Sequence, residues 1–453
     1  MSPVAPHPST VVAHEILDHY LAEWSEAVAR GLRSAKPPEE GTEPPPLRVV
    51  YVDGFCNSGG RHSLVGAGQG GAGAGSALRG LRALERLAAR APGARAPLHA
   101  TAVLVEEDPA EVERLERELE AVGLGGRVRR VDDPAGLGAG EIALLHAAFG
   151  EAAERVARWV ASADHALCFL APPAAGKLPL AAVRTLARAR GADLLLSFPH
   201  ADLQKQARYR GSTLADLPTH VRRVVDGYSA LLGDVRYEWV YRWREAEREG
   251  GERAAEARVA GRYAERLAEL AGWVVKRLPV HLSDEPADSL YLFLVTGDPL
   301  RALALNRAAR EAGVEDRAEL GTSFRAEEAA EPAEVLELFA PEEPDATLLP
   351  PGGRGVDVSR LARTLAGRFR GRAVSYREVL LELVETDLSP DEVRRAMAAL
   401  KRTGEAVYRS LGDSGAEVEF PEHPVPPARR RRGGRAGAGE IPLLSELETE
   451  AEE

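Results

Sequence analysis

The residues with the clearest chemical potential lie where apolar runs end in carboxylates. The stretch VVYVDGFCNSGGRH closes an apolar run with Asp53 and enters a loop holding Gly54, Ser58, Gly59 and Gly60. A carboxylate at a strand end can hold an ammonium or a ribose, and glycines let the backbone approach a ligand. Further on, ATAVLVEEDP ends on Glu106, where a carboxylate suits the two ribose hydroxyls of an adenosine cofactor. A third run, RVRRVDDP, ends in Asp132 and Asp133, either of which could receive an adenine amino group. Glu106 has no obvious structural task, because Asp108 in Asp108-Pro109-Ala110-Glu111 already supplies a helix N-cap. The plainer alternative is that Asp53-Gly54 is only a turn and that Glu106 only leads into that cap.

Other patterns carry less. Gly66-x-Gly68-x-x-Gly71 matches a dinucleotide fingerprint in text, but it follows no strand and lies in a low-complexity glycine tract, so it reads as a loop. His14 and His19 are five apart, about 140° around a helix, which excludes the zinc pairing of HExxH. The segment CFLAPPAAG places Ala171-Pro172-Pro173-Ala174 at a strand end. Amine methyltransferases often have an acid or amide before such prolines and an aromatic after them. Here both the acceptor and the ring are replaced by alanine. No catalytic base stands out; His200 is the only candidate.

These residues need a scaffold that brings strand ends together. Apolar Ile16, Leu17, Tyr20, Leu21 and Trp24 recur at helical spacing within 13–33, and a Pro-rich joint follows to Pro46. Strands are expected at 47–53, 100–105, 127–131, 165–170, 192–198 and 289–295, and helices at 76–90, 109–122, 140–162 and 178–190. A further helix starts at Asp298-Pro299, and 210–285 reads as largely helical. Alternation of this kind predicts βαβ units and a mostly parallel, Rossmann-like α/β sheet.

An acidic, Pro-rich stretch after Glu327 marks a linker. Beyond it, helix 357–369 precedes two capping boxes, Ser375-x-x-Glu378 and Ser389-x-x-Glu392, which start helices near 375–386 and 390–403. Residues 406–410 and 416–420 read as a hairpin around LGDSG. Three helices and a hairpin predict a winged helix, with Arg394, Arg395, Lys401 and Arg402 on its recognition helix. The unit is charge-balanced, with 12 basic and 12 acidic residues over 354–423. The Arg429–Arg432 run and Arg435 would add phosphate contacts or form a solvated charge run. The expected division is therefore 1–46 helix and joint, 47–327 Rossmann-like domain with its helical region 210–285, 328–354 linker, 355–423 winged helix and 424–453 disordered tail.

The order of these segments suggests a family. ILDHYLAEW, YVDGF with its Gly loop, GSALRGL, LVEEDP, RYAERLAELAGW, YLFLVTGDPLRAL and the C-terminal winged helix together resemble the three-Cys-motif partner proteins (TcmP), over about 10–420. The resemblance implies a class I methyltransferase-like fold, S-adenosylmethionine as cofactor, a radical-SAM-like three-Cys-motif protein as partner, and a role in nucleic-acid modification or mobile-element conflict. It aligns Asp53 with the family's first carboxylate and Glu106 with its ribose-binding acid. It also shows departures. Ala171 stands where the family has Asp, Cys56-Asn57-Ser58-Gly59 where it has Ala-Gly-x-Gly, and Phe198-Pro199-His200 where it often has Asn-Phe.

Composition bounds the alternatives. The 453 residues are 44% hydrophobic and 28% charged, and no apolar run approaches a membrane span. The N-terminus lacks the features of a secretory signal, and two cysteines are too few for a disulfide framework, so a cytoplasmic location is expected. A net charge of −12 argues against a generic polyanion binder. The basic residues are nearly all arginine, which with the abundant Ala and Gly reflects GC-rich coding. The expected function is a methyltransferase using S-adenosylmethionine. The rivals are a catalytically degenerate partner or regulatory subunit of the same fold, a winged-helix DNA-binding regulator and, more distantly, a nicotinamide dehydrogenase.

Overall fold

A computed structural model describes residues 8–34, 44–56, 75–90, 96–189, 191–199, 203, 216–270, 272–281, 289–314, 358–411 and 415–425. The candidate site residues Ser58, Gly59, Gly60 and His200, the Gly66–Gly71 tract, the linker 328–354 and the tail beyond 425 with its arginine run at 429–435 lie outside them.

The chain opens with helix α1 (Pro8–Ser34), whose Ile16, Leu17, Tyr20, Leu21, Trp24 and Val28 form a buried stripe. The elements then alternate: β1 (Leu47–Asp53), α2 (Ser76–Arg90), β2 (Leu98–Glu106), α3 (Pro109–Ala121), β3 (Val128–Arg130), β4 (Ile142–His146), α4 (Phe149–Ala161), β5 (His165–Leu170), α5 (Leu180–Leu186) and β6 (Ala192–Phe198). Two helices follow, α6 (Thr219–Leu232) and α7 (Glu238–Ala268), then β7 (Val274–His281), β8 (Ser289–Thr296) and α8 (Pro299–Glu311). Strand order in the eight-stranded sheet is β3-β4-β2-β1-β5-β6-β8-β7. The strands through β6 are parallel, and β8 runs antiparallel to both β6 and β7.

Side chains alternate across each strand, so the sheet carries a core on both faces. Val50 and Val52 of β1 join Val103, Val105 and Cys168 beneath α4 to α7. Val49 and Tyr51 point the other way and join Leu104, Leu167 and Phe169 beneath α1, α2, α3 and α8. Strands buried on both faces read as near-continuous apolar runs, which is why β1, β5 and β6 are visible in the sequence. Helix α2 sits unusually close to β1. A Cβ on Gly80 would lie 2.0 Å from the Tyr51 ring, and the Tyr51 hydroxyl donates to the Ser76 carbonyl at 3.1 Å.

Several expectations fail, each for a tertiary reason. Residues 140–162 are not one helix, because Ile142–His146 is a strand between β3 and β2, followed by α4. Its Ile142, Ala143, Leu144 and Leu145 are all buried, and a four-residue apolar run cannot reveal its period. Within 210–285 the described helices end at Ala268, because Val274–His281 is a strand paired with β8. The expected helix 178–190 is reduced to the short α5, with a 3-10 turn at Ala175–Lys177 ahead of it.

The C-terminal unit comprises α9 (Val358–Phe369), β9 (Arg372–Ser375), α10 (Tyr376–Leu381), α11 (Pro390–Thr403) and β10 (Glu417–Phe420). Both capping boxes are formed, at Ser375/Glu378 and Ser389/Glu392. The hairpin differs from expectation. β10 pairs with β9, and the 406–410 segment contributes a single bridge, Val407 to Glu419. The unit has its own apolar core, into which Leu303 of α8 inserts.

Candidate functional site

The parallel strands leave their carboxyl ends on one edge of the sheet, and β1 lies between β2 and β5. The chain leaves β1 toward β2 on one side and leaves β5 toward β6 on the other, so the carboxyl end of β1 lies at a topological switch point, the place where doubly wound sheets bind ligands. Register aligns Asp53 with Leu104 on one side and Phe169 on the other, and Glu106 with His146. The Gly54 N–H donates to the Phe169 carbonyl at 3.0 Å. Gly54 is required by packing, since a Cβ there would fall 2.4 Å from Leu170 Cδ2 and 2.9 Å from the Phe149 ring.

Asp53 is buried. Its Oδ1 accepts from the Phe55 N–H at 3.2 Å, and Oδ2 has no hydrogen-bond partner among the described residues. Burial pushes this carboxyl up to about 6, and the nearby Ser76 side chain and the Phe55 N–H only partly oppose the shift. Glu106 is also buried. Its Oε1 accepts from the N–H groups of Glu107 and Asp108, both at 2.9 Å, and its Oε2 lacks a partner among the described residues. Burial raises its pKa, while the Asp108 and Glu107 N–H groups oppose the shift. Cys56 belongs to the same neighbourhood. Its thiol donates to the Val105 carbonyl at 3.2 Å, and burial together with the Asp53 and Glu106 charges pushes it up, so it stays protonated. Two buried carboxylates, each with one oxygen unpartnered among the described residues, form a site that fits a ligand carrying hydrogen-bond donors or positive charge.

The other predicted residues are placed less centrally. Asp132 and Asp133 follow β3, which is one strand further out than expected because β4 lies between β3 and β2. Asp133 accepts from the Ala135 N–H at 3.0 Å and pairs with Arg158 at 2.9 Å, and Asp132 is exposed. The strand beside β2 ends instead at His146, with Ala147-Ala148 leading into α4. Ala171 is half-buried and Pro172 buried, forming an apolar turn after β5. Sequence reasoning missed the rim of this edge. Lys177 Nζ lies 2.6 Å from Glu107 Oε1, and His146 Nε2 donates to the Glu107 carbonyl at 3.2 Å. The one local signal was Lys177 itself, one of five lysines in an arginine-dominated chain.

On α11, Arg394 pairs with Asp391 at 3.0 Å, and Lys401 donates to the Tyr408 carbonyl at 2.6 Å with its ammonium 4.3 Å from that ring's centre. Arg395 and Arg402 are exposed. The first turn of α11 is occupied by α8: Arg310 bridges both Glu392 oxygens at 2.9 and 2.8 Å, and Arg307 lies 3.2 Å from Asp391. Asn306 donates to the Thr386 and Leu388 carbonyls just ahead of it, both at 2.9 Å. A helix reading a major groove presents its N-terminal residues to base edges. Here those residues face the α/β domain.

The fold is a Rossmann-like α/β domain carrying a small helical unit, with a candidate ligand site at the carboxyl end of β1. No protein-family model and no curated protein matches the chain. Among solved structures it is similar to a Bordetella parapertussis protein, at 13% identity and TM-score 0.23, covering 61% of this chain and 66% of that one. It is similar to YjhP from Escherichia coli, at 13% identity and TM-score 0.19, covering 60% and 91%. A third similar structure is a SAM-dependent methyltransferase from Geobacter sulfurreducens in complex with S-adenosyl-L-homocysteine, at 16% identity and TM-score 0.19, covering 61% and 88%. Among the described residues no helix is long and apolar enough to cross a membrane.

Proposed function

We propose that this chain is an S-adenosylmethionine-dependent methyltransferase with a C-terminal winged helix. In keeping with its resemblance to three-Cys-motif partner proteins, it would work beside a radical-SAM-like three-Cys-motif protein on a nucleic-acid-related substrate. The observation that carries the cofactor assignment is the pair of buried strand-end carboxylates, Asp53 and Glu106, each with one oxygen unpartnered among the described residues.

Bound S-adenosylmethionine supplies an electrophilic methyl group. Asp53 would take its ammonium through Oδ2, relieving the cost of burying that carboxylate alone. Glu106 would accept from the ribose hydroxyls through Oε2, its other oxygen being fixed by two backbone N–H groups. The glycine loop 54–60 would wrap the methionine end, and Asp132 or Asp133 would reach adenine from the outer strand. Ala171 and Pro172 would form an apolar wall that excludes water. With no side-chain acceptor at that turn, the chain's contribution to transfer is proximity and alignment. His200 remains the proposed base. The three helices and paired β9 and β10 support the winged-helix assignment, and exposed Arg395 and Arg402 support contact with phosphates.

Calorimetric titration with S-adenosylmethionine and S-adenosylhomocysteine tests the proposal. Micromolar binding that is lost in Glu106→Ala is the expected result, and no binding to the wild-type protein overturns it. A second reading, a degenerate partner subunit, is favoured by Ala171 and Ala174 and by the engagement of the α11 first turn with α8. Methyl transfer to a tRNA or DNA acceptor by the purified protein would reject it.

A further inference from the structure

The Glu107–Lys177 pair links two strand ends that are not neighbours in the sheet. Glu107 follows the last residue of β2, Lys177 ends the 3-10 turn after β5, and β1 lies between those strands. The pair therefore spans the carboxyl end of β1, where Asp53 sits.

Both ends of this bridge are anchored. The turn bearing Lys177 is packed backbone to backbone against α6, since a Cβ on Gly227 would lie 2.9 Å from the Gly176 nitrogen. The Lys177 N–H donates to the Ala174 carbonyl at 3.0 Å. On the other side, the Glu107 carbonyl accepts from His146 at 3.2 Å, and the Glu107 N–H donates to Glu106 Oε1 at 2.9 Å. The path therefore runs from the Lys177 ammonium to the Glu107 carboxylate, and through the Glu107 peptide to Glu106.

We propose that Lys177 is a positioning residue for ligand binding: its ion pair straps the tip of β2 to the β5 turn across β1 and holds Glu106 with one carboxylate oxygen available to a ligand hydroxyl. The proposal deepens the cofactor reading above and rests on it. The side chains are 46% and 40% exposed, so the pair contributes little to folding. Its removal can therefore change binding without changing stability.

The test is calorimetry with S-adenosylhomocysteine on the full-length chain and three variants: Lys177→Met, Glu107→Gln, and the swapped pair Lys177→Glu with Glu107→Lys. Each single variant should weaken binding about two- to five-fold with an unchanged melting temperature, and the swap should recover most of the loss. Wild-type affinity should also fall more steeply with salt than that of Lys177→Met, because the half-exposed pair is screened. Wild-type affinity and salt dependence in Lys177→Met would overturn the proposal, as would a swap no better than the single variants. A wild-type chain that does not bind at all overturns the cofactor reading itself, a result distinct from equal binding by wild type and variant.

Discussion

Replacing Asp53 by Asn should change how stability depends on pH, in a direction set by burial. The Asp53 carboxyl is pushed from its ordinary value of 3.8 up to about 6. The folded chain therefore holds this proton more tightly than the unfolded chain. Below the unfolded value the shift costs nothing. As pH rises from about 3.8 through 6 the native state loses stability, reaching a penalty of about 3 kcal/mol above that window. Asn cannot ionise, so Asp53→Asn lacks this component. Whatever fixed cost the buried amide brings is independent of pH and cancels when the two profiles are subtracted. Between pH 5 and pH 8 the variant should therefore gain about 1.4 kcal/mol on the wild type, roughly 3–5 °C in melting temperature for a domain of this size. Ligand-free thermal or urea unfolding of both proteins over that range measures it. A gap that stays constant from pH 5 to pH 8 would refute the claim that Asp53 is buried without adequate compensation. It would also remove the reason to expect a cationic ligand group beside it.

Two further predictions concern the scaffold. Gly80→Ala places a methyl group within the Tyr51 ring and should cost about 1–3 kcal/mol or more, read as a lowered urea midpoint with an unchanged slope. Arg301 pairs with buried Asp193, which also accepts from Thr296 Oγ1 at 2.6 Å, so Arg301→Met should destabilise by about 3–5 kcal/mol. Unfolding within 1 kcal/mol of wild type would show that Asp193 does not depend on that guanidinium.

Much of the candidate site is legible in the sequence because its signals are local. Asp53 and Glu106 close apolar runs, and Asp108 takes the capping role, accepting from the Ala110 N–H at 2.8 Å, which leaves Glu106 free of it. Asp298 caps α8 in the same way, accepting from the Leu300 N–H at 3.0 Å. The adenine-side residues are less legible. Asp132 and Asp133 follow a short, arginine-rich strand, and their distance from β1 depends on a further strand that periodicity cannot distinguish from a helix.

The sequence by itself determined most of the alternation of strands and helices, the capped helix starts at Pro109, Pro299, Tyr376 and Pro390, and the strand-end carboxylates, because side-chain period and capping act within a few residues. Tertiary structure alone decided the insertion of β4 beside β2, the pairing of β10 with β9, the closing of Glu107 onto Lys177 and the seating of the α11 first turn on α8. Each joins segments distant in sequence or selects among several chemically equivalent partners. That selection is made by sheet order and packing, which no local pattern encodes.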